Sequence, residues 1–241
     1  MKIIKRIVLW GMKLLKIRYA PIHLVISKDR MTEIKRLIPG ESPVVIDGGA
    51  HKGDFIELIY RQYSEPVIYG YEPIPALAKA LKDKYAKSDK ITIREVALGS
   101  SEAIIELNIS KILPATSILE PNEVFSRKYH NGRLEAIQKI NVSQVRLDVE
   151  INNNIDILKL DLQGYELQAL KGSTGVLTKV KLILVEVEFS QIYKDQPLFA
   201  EVDIFLRENG FKFLNFYDLY THPDGQLTSG DAIYLNNIFF D

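Results

Sequence analysis

Val44-Val45-Ile46-Asp47-Gly48-Gly49-Ala50-His51-Lys52-Gly53-Asp54-Phe55 decides how the rest of the chain is read. Its first three residues are apolar and β-branched, which suits a strand buried on both faces. The strand ends in Asp47, turns through Gly48, Gly49 and Gly53, and leads into an amphipathic helix over residues 54–63. Strand, glycine turn and helix form the first unit of a doubly wound α/β sheet, whose ligand sits beyond the carboxyl end of the strand. The helix start offers free N–H groups to an anion.

Asp47 narrows the ligand. A carboxylate there repels a pyrophosphate but suits an ammonium group, and S-adenosylmethionine carries an ammonium and no phosphate. A second strand, Val67–Tyr71, ends in Glu72, an acid placed to accept hydrogen bonds from both ribose hydroxyls. Asp47 with Glu72 favours S-adenosylmethionine over NAD. Against this stands a plainer reading, two solvated loop acids beside a structural turn.

Working outward, residues 1–28 differ from the remainder. They hold Lys2, Lys5, Arg6, Lys13, Lys16, Arg18 and Lys28, with no acid before Asp29. Ile3, Ile7, Trp10, Leu14 and Ile17 follow helical spacing. Lys13 and Lys16 interrupt the apolar run, which is too short to span a bilayer, and no small-residue cleavage site follows it. Two readings stay open: a basic helix resting on an anionic membrane through residues 1–20, or a helix packed on the domain or on a partner subunit of a homo-oligomer. Residues 1–40 are therefore set apart as an extension and residues 41–241 as the main domain.

The whole chain has 241 residues, is 46% hydrophobic and has a formal net charge of zero. That is enough for a substantial core, and no global field points to nucleic acid. The absence of cysteine removes disulfides, thiolate catalysis and cysteine-ligated zinc together, and is consistent with the cytoplasm. Further along, residues 31–37 and 76–85 read as helices, residues 91–98 as a third strand, and residues 102–109 as another strand. Residues 110–140 show little periodicity and read as a long irregular loop lining the acceptor. Residues 144–147 read as a short strand and residues 155–162 as the fourth core strand. A helix over residues 165–171 closes on Gly172, residues 181–187 form the fifth strand, and residues 197–209 form a helix. Two aromatic-rich segments, residues 211–217 and 232–235, flank a turn at Pro223-Asp224-Gly225.

With these residues in view, the chain resembles the FkbM-type methyltransferases. The resemblance rests on the Val45–Gly53 turn, on Tyr71-Glu72-Pro73, on Val96-Ala97-Leu98-Gly99, and on the run from Leu158 through Asp161, Gln163 and Gly164 to Lys171-Gly172. The acidic strand end of residues 182–189 adds to it, and residues 43–236 are covered. The resemblance implies a Rossmann-like class I fold with a seven-stranded, mostly parallel sheet whose last strand is antiparallel. It implies S-adenosylmethionine as cofactor and methyl transfer to a hydroxyl on a sugar, glycan or glycosylated natural product. By position, Asp47, Gly48, Gly49, Ala50 and Gly53 would hold the methionine portion, and Glu72 with Pro73 the ribose. Ala97 and Leu98 would lie by the adenine, and Asp161 at the junction of cofactor and acceptor. One residue departs from the pattern: Gln163 stands where such enzymes usually carry an acid, keeping a carbonyl acceptor but no charge.

An alcohol is a poor nucleophile at neutral pH, so a nearby base assists its methylation. Asp161 is the first candidate and His51 the second, with Glu186 and Glu188 at the next strand end. Asp161 with either glutamate offers oxygen ligands, but no spacing rule points to a metal and none is expected. A fold-retaining binding protein without turnover, and an NAD-dependent oxidoreductase, are the alternatives.

Overall fold

The computed structural model describes residues 29–222 and 224–240; the expectations for residues 1–28 lie outside them. Ten strands occur in the described residues: β1 (Val44–Gly48), β2 (Val67–Tyr71), β3 (Ile91–Arg94), β4 (Ala97–Leu98) and β5 (Ala103–Ser110), then β6 (Ala136–Val145), β7 (Ile155–Leu160), β8 (Val180–Glu188), β9 (Phe211–Thr221) and β10 (Leu227–Asn236). Eight helices accompany them: α1 (Arg30–Leu37), α2 (Asp54–Gln62), α3 (Pro75–Lys84), α4 (Glu123–His130), α5 (Leu147–Glu150), α6 (Glu166–Lys171), α7 (Phe199–Glu208) and α8 (Asn237–Phe240).

Seven strands form the central sheet in the order β3-β2-β1-β7-β8-β10-β9. The first five run parallel, and β10 lies antiparallel to both β8 and β9. This is the mixed α/β architecture that the strand–turn–helix stretch and the resemblance imply. Chain order reverses between β1 and β7, so a crevice opens beyond their carboxyl ends.

Alternation along the strands builds two cores. Val45, Ile157 and Leu184 face α1 and α2, where Met31, Ile34, Ile56 and Ile59 are buried. Ile46, Leu158, Ile183 and Val185 face the opposite layer, filled by Leu167, Leu170, Val202 and Leu206. Full burial of each such side chain contributes roughly 1.5–3 kcal/mol. Met31 and Ile34 thus tie α1 into the domain, although residues 30–38 fall in the stretch set apart as an extension.

Three other expectations change. Residues 91–98 are not one strand: β3 ends at Arg94, and Ala97 and Leu98 leave the central sheet to pair with Gln144 and Val145. Residues 110–140 are not an irregular loop. They contain a 3-10 turn at Leu113–Ala115, α4, and the start of β6, a ten-residue strand that pairs antiparallel with β5 through eight of its residues. Asn122 caps α4 by accepting from Val124 N and Phe125 N, so a polar residue that reads as loop is a helix start. The short strand expected at residues 144–147 is the end of β6, and Leu147 opens α5. Together β4, β6 and β5 make a second, three-stranded sheet.

Candidate active site

The turn after β1 is shaped by its neighbours as well as by its glycines. Gly49 has φ +75°, and a Cβ there would sit 2.0 Å from the Asp161 carbonyl oxygen. Only glycine fits such a position. The Asp161 N–H in turn donates to Gly48 O at 3.2 Å, locking the ends of β1 and β7 together.

Beneath this turn lies a buried ion pair. Lys159 Nζ is 3.0 Å from Asp47 Oδ1, and it donates to Gly48 O at 3.1 Å and Gly49 O at 2.9 Å. Asp47 is 0% exposed. Burial pushes the Asp47 carboxyl up, with Lys159 pulling against it. For Lys159, burial works against the charge, but Asp47 and Asp161 outweigh it and hold the ammonium above its ordinary pKa. The carboxylate expected to greet a cofactor ammonium is thus buried beside the protein's own ammonium.

Above the turn a cavity of about 250 Å³ opens, and Gly49, Ala50, His51, Glu72, Pro73, Ala97, Leu98, Lys159 and Asp161 all line it. Glu72 anchors one end: its Oε2 accepts from His51 N at 2.8 Å and its Oε1 from Ile74 N at 2.8 Å. Burial raises its pKa while these two hydrogen bonds pull it back. Ile74, Val96, Ala97 and Leu98 give that end an apolar slot. His51 sits at φ +47°, and its Nε2 is buried without a hydrogen-bond partner. Burial and the Lys52 charge hold its pKa below the usual value.

The opposite wall is organised by Gln163. Its Nε2 donates to Asp161 Oδ1 at 2.9 Å and to Glu186 Oε2 at 2.8 Å, while its Oε1 accepts from Tyr193 Oη at 3.1 Å. Ser117 Oγ donates to its backbone carbonyl at 2.7 Å, which ties the segment after β5 to the end of β7. Burial works to raise the Asp161 pKa, but Lys159 and the Gln163 hydrogen bond outweigh it, and the carboxyl stays below its ordinary value. Its side chain is 43% exposed towards the cavity. Behind it, oxygens of Glu166, Glu186 and Glu188 all lie within 4.8 Å of one another, the one grouping among the described residues with metal-ligating spacing. Burial and then the charges of Asp161 and Glu188 push Glu186 well up, burial with Glu166 and Asp161 does the same to Glu188, and burial carries Glu166 to about 7. The Gln163 amide donates to both Asp161 and Glu186, and these two carboxyls also share a hydrogen bond that lowers the pKa of Asp161 and raises that of Glu186.

The structure thus brings Ala50, His51, Glu72, Pro73, Ala97, Leu98 and Asp161 to one cavity. Asp47, Gly48 and Gly53 are not on its wall: Asp47 lies below the turn, and Gly53 caps α2 at φ +85° beside Leu81 and Tyr85. Extension does not continue through Gln163, because β7 stops at Leu160 and Gln163 adopts φ +53°. Asp161 and Gln163 meet through a turn and not across one strand face. Lys159 is the functional neighbour that sequence reasoning missed. A lysine flanked by Leu158 and Leu160 inside a buried strand needs a carboxylate partner, and that was the available signal. Tyr193, 1% exposed, carried no such signal.

Comparison with known proteins follows the same outline. A family model described as "Methyltransferase FkbM domain" matches residues 47–213. Methyltransferase sdnD of Sordaria araneosa is 24% identical over 221 residues, covering 81% of this chain and 83% of that protein. The 2-O-methyltransferase NoeI of Sinorhizobium fredii (strain NBRC 101917 / NGR234) is 25% identical over 184 residues, covering 71% of this chain and 74% of its own. Among solved structures, a methyltransferase FkbM from Methylobacillus flagellatus KT superposes with a TM-score of 0.51 at 17% identity. That match covers 81% of this chain and 44% of the other, so this chain spans less than half of that protein's length, and the likeness is one of fold.

Proposed function

This chain belongs to the FkbM methyltransferase family, and from that premise we propose that it is an S-adenosylmethionine-dependent O-methyltransferase acting on a sugar, glycan or glycosylated natural product. The observation that carries the reading is one cavity with Glu72 and an apolar slot at one end and an ionised Asp161 at the other. The donor set suits the cofactor: a buried carboxylate beside the slot for a ribose diol, apolar side chains for adenine, and backbone groups of Gly49 and Ala50 for the amino-acid end. A 2-O-methyltransferase among the relatives supports oxygen as the acceptor atom.

Bound there, S-adenosylmethionine supplies the electrophilic methyl group. The rest falls to the chain. The Asp161 carboxylate accepts the proton of the acceptor hydroxyl, which sharpens an otherwise weak nucleophile. The Gln163 amide fixes Oδ1, and Lys159 Nζ, 3.8 Å from Oδ2, keeps the carboxylate charged. The His51 ring lies on the same wall. Ala97, Leu98 and Leu107 of the second sheet add apolar surface to the cavity wall.

Titration calorimetry with S-adenosylhomocysteine and, separately, with NAD tests the cofactor. Micromolar binding of the first and none of the second is expected; the reverse refutes the reading. Turnover over a panel of saccharide-bearing acceptors then separates an enzyme from a protein that keeps the fold without the reaction.

A further inference from the structure

We propose that the free edge of β6 pairs with the same edge of a second copy of this chain, joining the two three-stranded sheets antiparallel about a two-fold axis at Ile140. The inference is independent of which cofactor the cavity takes.

In the second sheet β6 lies between β4 and β5, but its two neighbours are unequal. β5 accompanies it from Ala136 to Gln144, whereas β4 reaches only Gln144 and Val145. On the β4 side, residues 136–143 have no strand beside them among the described residues, and all but Ile140 and Val142 are exposed. The direction of their backbone groups follows from β5. Asn108 exchanges both of its groups with Ser117, at 2.9 and 3.2 Å, on the outer side of β5. Its partner across the sheet, Lys139, is therefore not bonded to it, and bonding alternates along an antiparallel ladder. The N–H and C=O of Lys139 and Asn141 thus point out of the free edge.

Sheet edges are usually guarded, and the others in this fold are. The strand β3 has only four residues. The strand β9 carries register shifts against β10 and has Asp218 at φ +46°. Ser117 closes the outer side of β5. Residues 136–143 contain no proline or glycine, and Lys139 is their one charged side chain.

The two ends of the edge fix how it can pair. The register with β5 slips between Gln138 and Ala136, and β4 occupies the edge from Gln144 onward. Both copies must keep their core face on one side of the joined sheet, so a residue lies on the two-fold axis. Centring on Lys139 would set two ammonium groups directly opposite each other, which is destabilising. Centring on Asn141 would set Gln138 against Gln144, where β4 already sits. Centring on Ile140 avoids both. Lys139 then exchanges hydrogen bonds with Asn141 of the second copy, and the two Ile140 side chains meet as a β-branched pair. Glu106 lies opposite Asn141, so Lys139 of one copy enters the same row as Glu106 of the other. This self-complementary register favours a second copy over an unrelated strand. The paired stretch is short, so the dimer is reversible with a micromolar Kd.

The test is sedimentation velocity of the full chain across a micromolar concentration series, where a monomer–dimer equilibrium is expected. Asn141→Lys changes an exposed position, sets an ammonium opposite Lys139 of the other copy, and should weaken the dimer at least ~10-fold. Adding Lys139→Glu should restore it. Because the chain has no cysteine, single cysteines report the register. Ile140→Cys faces itself across a pair with Cα atoms ~4.5 Å apart, within disulfide reach, and should cross-link under mild oxidation. Ser143→Cys lies about 20 Å from its counterpart and should not. S-adenosylhomocysteine titration of each variant keeps cofactor binding as a separate measurement. A monomer throughout the series, a dimer indifferent to Asn141→Lys, or cross-linking at Ser143→Cys in place of Ile140→Cys overturns the proposal. Slow hydrogen exchange at the Lys139 and Asn141 amides of a monomeric sample also overturns it, by assigning the edge to another part of the same chain.

Discussion

Lys159→Met is the substitution that most directly tests the physical account of this site. Methionine keeps the length of the side chain and loses the charge, so Asp47 is left buried with no cation, and Gly48 O and Gly49 O each lose a donor. Removing one member of a buried pair costs about 3–5 kcal/mol, mostly because the remaining charge is uncompensated. In a domain of this size that lowers the melting temperature by about 6–20 °C. The loss depends on pH with a definite sign. Without Lys159, burial carries the Asp47 pKa still further above its unfolded value. A group raised in this way stabilises the fold fully below its unfolded pKa, and the contribution is lost as pH rises through the folded pKa. The deficit relative to wild type should therefore be largest at pH 8 and shrink towards pH 4. Asp47→Asn combined with Lys159→Met removes both charges and should recover part of the loss, with a coupling of about 1–3 kcal/mol in a double-mutant cycle. Urea unfolding at three pH values measures all of this. A Lys159→Met deficit below about 1 kcal/mol, or a double variant no more stable than the single one, would falsify the claim that Asp47 serves Lys159.

Four further outcomes follow from the geometry. Glu72→Ala should weaken S-adenosylhomocysteine binding ten- to a hundredfold by calorimetry, the usual loss of ~1.5–3 kcal/mol for hydrogen bonds to a charged group; unchanged affinity removes Glu72 from the cofactor site. Asp161→Asn should cut turnover of a verified acceptor at least ~100-fold with little change in cofactor affinity, and full activity would shift the base to His51 or dispense with one. Glu166, raised to about 7 by burial, stabilises the fold below its unfolded pKa and loses that contribution as pH rises through about 7. Glu166→Gln should then gain up to about 3 kcal/mol over wild type at pH 8 and nothing at pH 4, and identical pH profiles would contradict the assignment. Gly49→Ala should fail to give folded protein by circular dichroism, because its Cβ would meet the Asp161 carbonyl at 2.0 Å; a folded variant with native stability would show the turn to be looser than drawn here.

The local chain already carried a good part of this. Val44–Gly48 and Val67–Tyr71 are strands, Asp54–Gln62 is a helix, and Gly49 adopts positive φ, because β-branched runs, apolar spacing and glycine act over a few residues. Glu72 lies on the cavity for the same reason: a strand end points its last side chains at the switch point wherever the sheet closes. What depends on partners distant in sequence was not legible. Asp47 reads as a cofactor ligand from its position alone, and only the packing of β7 beside β1 brings Lys159 within ion-pair distance of it. Residues 110–140 lack periodicity because β6 gets its order from pairing with β5 and α4 from its Asn122 cap, neither of which leaves an apolar stripe in its own sequence. Gln163 looked like a lost acid. In the fold its amide is the group that can donate to Asp161 and Glu186 at once, a role a carboxylate has no hydrogens to fill, and it was set by Tyr193 and Glu186 from β8 and beyond. Propensity and pattern act along the chain, whereas the pairing of buried charges is decided by which strands become neighbours.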